Sequence, residues 1–188
     1  MSTQHELEQL KVGGEFYFIH ERDGEVLAKE SSLNLFVNEG LVYALNSAFG
    51  VSVGGAPTPY ANLYIGLAQA NRAWQATDVA ATINTVANEF NLYNSSLRPA
   101  WSPQALSTIS SIELSDAGAE ATYTVGDLSS VGGTANLYGA FLISASNNDG
   151  SSDATAVLMA GSNFPAPRSI LQGDVFKVGY VLKSESGA

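Results

Sequence analysis

The sequence predicts a mainly β protein, an antiparallel β-sandwich or jelly roll with one or two short helices and an N-terminal arm. Three observations lead there. Aromatic and β-branched residues recur with period two in short runs, the runs are separated by clusters of Gly, Asn, Asp, Ser and Pro, and only the stretch from Asn38 shows clear helical spacing. Short strands divided by frequent turns belong to sandwiches and jelly rolls. A chain of 188 residues with 45% hydrophobic content is sized for one core. Residues 15–188 are therefore expected as one domain, preceded by an arm of residues 1–14.

In the arm, Thr3 and Glu6 are spaced as a capping box and Leu7 and Leu10 share a helical face, so the first ten residues read as a short helix. Such a helix is too short to stand alone and must lean on the body or a neighbour, with Gly13-Gly14 as its hinge. Residues 15–21 and 25–29 then alternate around Asp23-Gly24, the pattern of a hairpin with a type I′ turn. Leu33, Leu35 and Val37 continue the period of two. At Asn38, a good N-cap, the period changes: Leu41, Val42, Leu45 and Phe49 fall on one face of a helix that Gly50 ends.

Leu63, Ile65 and Leu67 mark the next strand. Thr77-Asp78 opens a turn of helix through Val79 and Ile83, and with the Pro-punctuated Arg98–Pro103 this reads as an excursion off the sheet. Further strands are expected over 109–114, 119–125, 137–143, 154–160 and 175–182. Glu120, Thr122 and Thr124 alternate with Ala121, Tyr123 and Val125, one wet face and one buried, whereas Leu137–Ile143 is apolar on both faces and should be central. No internal repeat is present.

Eighteen carboxylates against eight Lys and Arg give a formal charge of −10, which repels nucleic acid and anionic lipid alike. The opening residues have no apolar core, no stretch is long and apolar enough for a bilayer, and the expected product is soluble in the cytoplasm of the cell that makes it. Cysteine is absent, which removes disulfides, thiol nucleophiles and thiolate metal sites. Residues 31–173 carry only nine acids and three arginines, a low-charge surface suited to burial in an assembly, a property that a polar monomer could share. Exposed edges with few guarding lysines favour a small closed homo-oligomer, trimer or dimer.

Little in the chain suggests catalysis. His5 and His20 are the two histidines, and neither has a local partner set; His20 shares a strand face with Phe16 and Phe18, the place of a structural histidine. Glu113 and Glu120 flank an apparent hairpin around Asp116-Ala117-Gly118 and read as solvent-face residues rather than a glycosidase pair. The loop Asn147–Asp153 offers oxygen ligands for a hard cation but lacks the last Glu of a calcium loop, so it reads as a turn. No phosphate-cradling glycine motif or zinc spacing occurs. The expectation is no catalytic residue, no metal and no cofactor. Trp74, Tyr93 and Trp101 would be the aromatics of a carbohydrate-binding alternative, with Trp101 otherwise anchoring its loop to the core.

Five ordered blocks carry a resemblance. Asn34–Leu41 (N-L-F-V-N-E-G-L), Leu63–Leu67 (L-Y-I-G-L), Arg98–Pro103 (R-P-A-W-S-P), Tyr138–Ile143 (Y-G-A-F-L-I) and Gly173–Val178 (G-D-V-F-K-V) resemble the successive blocks of a family of tailed-bacteriophage virion proteins, among them capsid decoration or cement proteins. The likeness spans residues 34–182; the acidic extension and hairpin before Leu33 depart from it, as does the lack of tryptophan near Asn88-Glu89. The resemblance implies a non-catalytic protein on the capsid surface that binds the major capsid protein across subunits, with a tail or head-fibre component as the alternative. Its blocks are fold residues: Gly66 and Gly139 would permit close strand packing, and Gly173 a tight turn into the last strand. Leu97–Pro103 and Ser162–Ser169 are the loops expected to offer contact surfaces.

Overall fold

The computed structural model describes residues 10–49, 62–101, 113–114, 120–149 and 153–186. Its strands are β1 (Leu10–Arg22), β2 (Glu25–Leu33), β3 (Leu35–Phe36), β4 (Leu63–Ala68), β5 (Glu89–Phe90), β6 (Ala100–Trp101), β7 (Glu113–Leu114), β8 (Ala121–Thr124), β9 (Ala135–Ile143), β10 (Leu158–Ile170) and β11 (Val175–Ser186). Two helices, α1 (Asn38–Phe49) and α2 (Ala80–Ala87), interrupt them. One antiparallel sheet runs β2-β1-β11, with β7 and β8 both against the far side of β11; the other runs β3-β10-β9-β4, with β5 and β6 both against β4.

The sheets face each other across one core. Phe16, Phe18 and Tyr180 from the first pack with Ile65, Leu67 and Leu142 from the second. Polar links join the sheets as well: among them, the Tyr123 hydroxyl donates to the Ile65 carbonyl at 2.6 Å, and the Trp101 indole N–H donates to the Tyr180 carbonyl at 3.0 Å. Burial drives the Tyr123 hydroxyl well above its ordinary pKa, so it stays a donor. The second sheet is covered on its other side too, where Phe141, Ile143 and Leu158 pack with Trp74, Ile83 and Ala87. Strand β9 is thus central, and from Gly139 to Ile143 it is buried on both faces, as its continuous apolar run predicts.

The β1–β2 hairpin forms at the expected turn, with Asp23 at φ 51° and Gly24 at φ 81°, the paired positive values of a type I′ turn. Gly66 and Gly139 are sites of close approach: a Cβ would stand 2.2 Å from the Phe141 ring at Gly66 and 2.2 Å from the Ser162 carbonyl at Gly139.

Several expectations are corrected. Gly13-Gly14 is no hinge: both residues lie within β1, paired with Lys183 and Leu182 of β11, so the strand begins at Leu10. The rest of the predicted N-terminal helix lies outside the described residues, as do the predicted strand residues 109–112. The excursion after β4 returns to its sheet twice, as β5 and β6, because Phe90 and Trp101 each carry a large apolar side chain back to the core. Glu113 and Glu120 do not flank a hairpin, since β7 and β8 lie one after the other along the same side of β11, Leu114 opposite Leu182 and Ala121 opposite Val178. The strand expected from Ala154 starts at Leu158 after a short 3₁₀ turn, and Ser162–Ser169 is strand rather than loop. Its prolines fit because the pairing with β9 jumps from Asn163 opposite Gly139 to Arg168 opposite Leu137, leaving Pro165 and Pro167 in a bulge that needs no N–H.

Candidate functional site

At one end of the first sheet, β1 delivers His20 and Arg22 to Asp174, which sits in the turn between β10 and β11. Antiparallel pairing sets His20 opposite Phe176, and the imidazole stacks on that ring at 4.5 Å. Gly173, at φ 89°, turns the chain so that the Leu171 N–H reaches Asp174 Oδ2 at 2.9 Å. The same oxygen accepts from His20 Nε2 at 2.9 Å and Arg22 Nη2 at 2.8 Å, while Oδ1 accepts from Arg22 Nε at 2.7 Å. Burial pushes the Asp174 carboxyl up, but the bonds from Arg22, Leu171 and His20 outweigh it and hold its pKa at about 2. Arg22 is in turn raised, first by that hydrogen bond.

An ionised carboxylate only accepts, so His20 Nε2 is the donor in this contact. His20 is buried, and no nucleophile is bonded to it among the described residues. The cluster is chemically a clamp between β1 and the β10–β11 turn. His5 lies outside the described residues.

A second charged pair lies deeper. Arg98 donates from Nε and Nη2 to Glu89 of β5 at 2.8 and 2.6 Å, donates from Nη1 to the Ala145 carbonyl at 2.8 Å, and lies 5.7 Å from the Phe141 ring centre. Both side chains are fully buried. Nearby, burial raises the Tyr93 hydroxyl to about 12. Arg98 and Trp101 therefore staple the second sheet internally and to the first, and the R-P-A-W block holds the fold. Sequence reading missed Glu89, although an acid nine residues before an isolated arginine in a nearly uncharged stretch was a signal.

The other candidate positions are equally occupied. Tyr93 and Trp101 are buried, and Trp74 packs on Phe141 while its indole N–H donates to Asn163 at 3.1 Å. None of the three presents a free ring to a sugar. In the Asn147–Asp153 loop, Asn147 bridges to Leu97 and the Asn148 side chain is buried. Among the described residues no group of three or more His, Asp or Glu side chains could hold a metal, and no helix is long and apolar enough to cross a membrane. Glu120 is half-buried at the start of β8; the Glu113 side chain lies outside what is described.

The cations of the low-charge middle are all spent internally: Arg72 pairs with Asp78 at 2.8 Å, Arg98 with Glu89, and Arg168 with Glu30. Among the exposed side chains are several large apolar ones. On α1, Leu41 packs towards the core, but Val42 and Leu45 are 56% and 52% exposed, so the predicted helix face is only partly covered. Val42, Tyr43, Val79 and Val157 line an open groove of about 390 Å³ with Asn38, Glu39 and Asn46. On β2, Val26, Leu27 and Leu33 are 58%, 49% and 79% exposed. Compared with known proteins, the chain matches no family model, no curated protein and no solved structure.

Proposed function

We propose that the chain is a non-catalytic structural protein of a tailed-phage virion that decorates the head and cements it by binding the major capsid protein across subunit junctions. The observation that carries the assembly part is a contrast: the Asp174 cluster and the Glu89–Arg98 pair are bonded internally, while apolar side chains on α1 and β2 stay in water. Exposed apolar groups of this kind serve contact with other protein. The virion part rests on the ordered blocks of the sequence. The mechanism is mass action: a protein that binds only the closed shell shifts the equilibrium towards it. The product would be soluble in the host cytoplasm before it docks on the capsid surface.

The test is electron microscopy of virions carrying the chain, with the heat release of DNA from heads measured with and without added protein. Density on the head and a raised release temperature are expected. Density on the tail alone, or no density, would overturn the reading. The non-catalytic part fails separately if purified protein turns over a substrate and His20→Ala abolishes turnover with the fold intact.

A further inference from the structure

We infer that β2 is a homodimerisation edge, pairing antiparallel with β2 of a second copy about a two-fold axis at Glu30. This rests on the assembly reading above and names its partner surface. Strand β2 ends its sheet, bonded to β1 on one side only. The phase of that pairing is fixed by the Asn34 N–H, which donates to the Gly14 carbonyl at 3.0 Å. Alternate residues therefore bond to β1, and the backbone groups of Lys29, Ser31 and Leu33 face outward. The Leu33 carbonyl, which accepts from Ser162 Oγ at 2.8 Å, agrees with this phase.

The other sheet margins are poorer templates. β3, β5, β6 and β7 are two residues each, β8 is four, and β10 is broken by its proline bulge. Among the described residues, β2 is the longest open edge, its Leu33 carbonyl alone bonded outward, to Ser162, and an open edge with exposed leucines pairs unless it is covered or charged.

A second copy fits because the strand is self-complementary in one register. Two-fold antiparallel pairing must centre on a residue, since opposed side chains share a face. Centred on Lys29, the lysines oppose each other; centred on Ala28, Leu33 has no partner. Centred on Glu30, Lys29 meets Ser31 of the other copy, and Leu27, the bulged residue between Val26 and Ala28, meets Leu33 at both ends. Glu30 then opposes its own mate, but each Glu30 is ion-paired with Arg168 of β10, so the centre holds two acids and two arginines. The Lys29 side chain keeps the edge from stacking indefinitely. A contact this short is below the roughly 1,200–2,000 Å² of a standard interface, so the free dimer is weak and gains from being held on a shell.

The native chain has no cysteine, so introduced ones report the register directly. Leu27→Cys with Leu33→Cys should give a covalent dimer on mild oxidation, whereas either single substitution should give little, because like positions lie far apart. Ser31→Pro removes an outward N–H that the fold does not use, so the domain should fold while sedimentation shows at least about a tenfold loss of dimer. Singles that cross-link as well as the pair, a pair that does not cross-link, or Ser31→Pro dimerising like the native protein would each overturn the inference. Dimerisation is read without particles. A dimer that never binds heads sinks the virion reading alone, and a monomer that binds heads sinks the pairing alone.

Discussion

A guanidinium and a carboxylate lose several kcal/mol each on leaving water, and Glu89 and Arg98 recover it only while both mutual bonds, the Ala145 carbonyl and the Phe141 ring are in place. Arg98→Met strands the buried acid and should cost about 3–5 kcal/mol in urea unfolding, while adding Glu89→Leu should restore most of it. Additive losses would show that the two charges are not coupled. Asp174 behaves differently because its pKa is lowered, to about 2 from an ordinary value of 3.8. A lowered carboxyl stabilises the fold above pH 3.8, and the contribution is lost as pH falls through 2. The loss between those pH values should be on the order of 1–2 kcal/mol, discounted because Arg22 is partly exposed, and absent in Asp174→Asn. Equal acid sensitivity of both proteins would refute the assignment. The buried place of His20 was legible from its shared face with Phe16 and Phe18. Its acceptor was not, because Asp174 lies 154 residues away and strand pattern carries no information about partners at that distance.

Helix α2 starts without a cap of its own, since Val79 has no side chain able to accept a hydrogen bond. The acceptor comes from α1: Glu39 Oε2 takes the Ala80 N–H at 2.9 Å and the Leu158 N–H at 2.8 Å, tying both helices to β10. Glu39→Ala should cost about 1–2 kcal/mol and speed amide exchange across Ala80–Ala87 more than in the β1–β11 pair. Uniform loss of protection would mean that the carboxylate does not act as the cap. This link explains why α1 keeps Val42 and Leu45 outside: with Glu39 turned to α2 and Gly40 against the Met159 backbone, the helix is seated by its first turn. Periodicity found the helix, because spacing is local, but it did not say which part of the apolar stripe would be covered. The Asp23-Gly24 turn and the central place of β9 were readable for the same reason. The Ser162–Ser169 strand was not, because two prolines signal a loop unless a bulge excuses them.

At the scale of the molecule, the two longest paired strands of the first sheet come from opposite ends of the described chain. β1 and β11 pair from Leu10 opposite Ser186 to Glu21 opposite Val175. The sheet cannot close until these segments meet, and bringing them together across the intervening chain is the slow, entropically costly step of such a topology. A period of two fixes which face a strand buries and leaves its neighbour open, so this adjacency lay beyond sequence reading. It makes a kinetic prediction. A circular permutant in which residues 187–188 run directly into residues 1–9, opened between Gly132 and Gly133 in the exposed turn before β9, turns the β1–β11 pair into a local hairpin. The β8–β11 and β4–β9 pairings become more distant, but they are shorter, with Ala121–Thr124 and Leu63–Ala68 as their strands. Mean contact separation therefore falls. Stopped-flow refolding should be several-fold faster than for the native order, with equilibrium stability changed by no more than about 2 kcal/mol. Refolding at the native rate would show that closure of β1 on β11 does not limit folding, and failure to fold would show that the turn at Gly132-Gly133 is required to join β8 to β9.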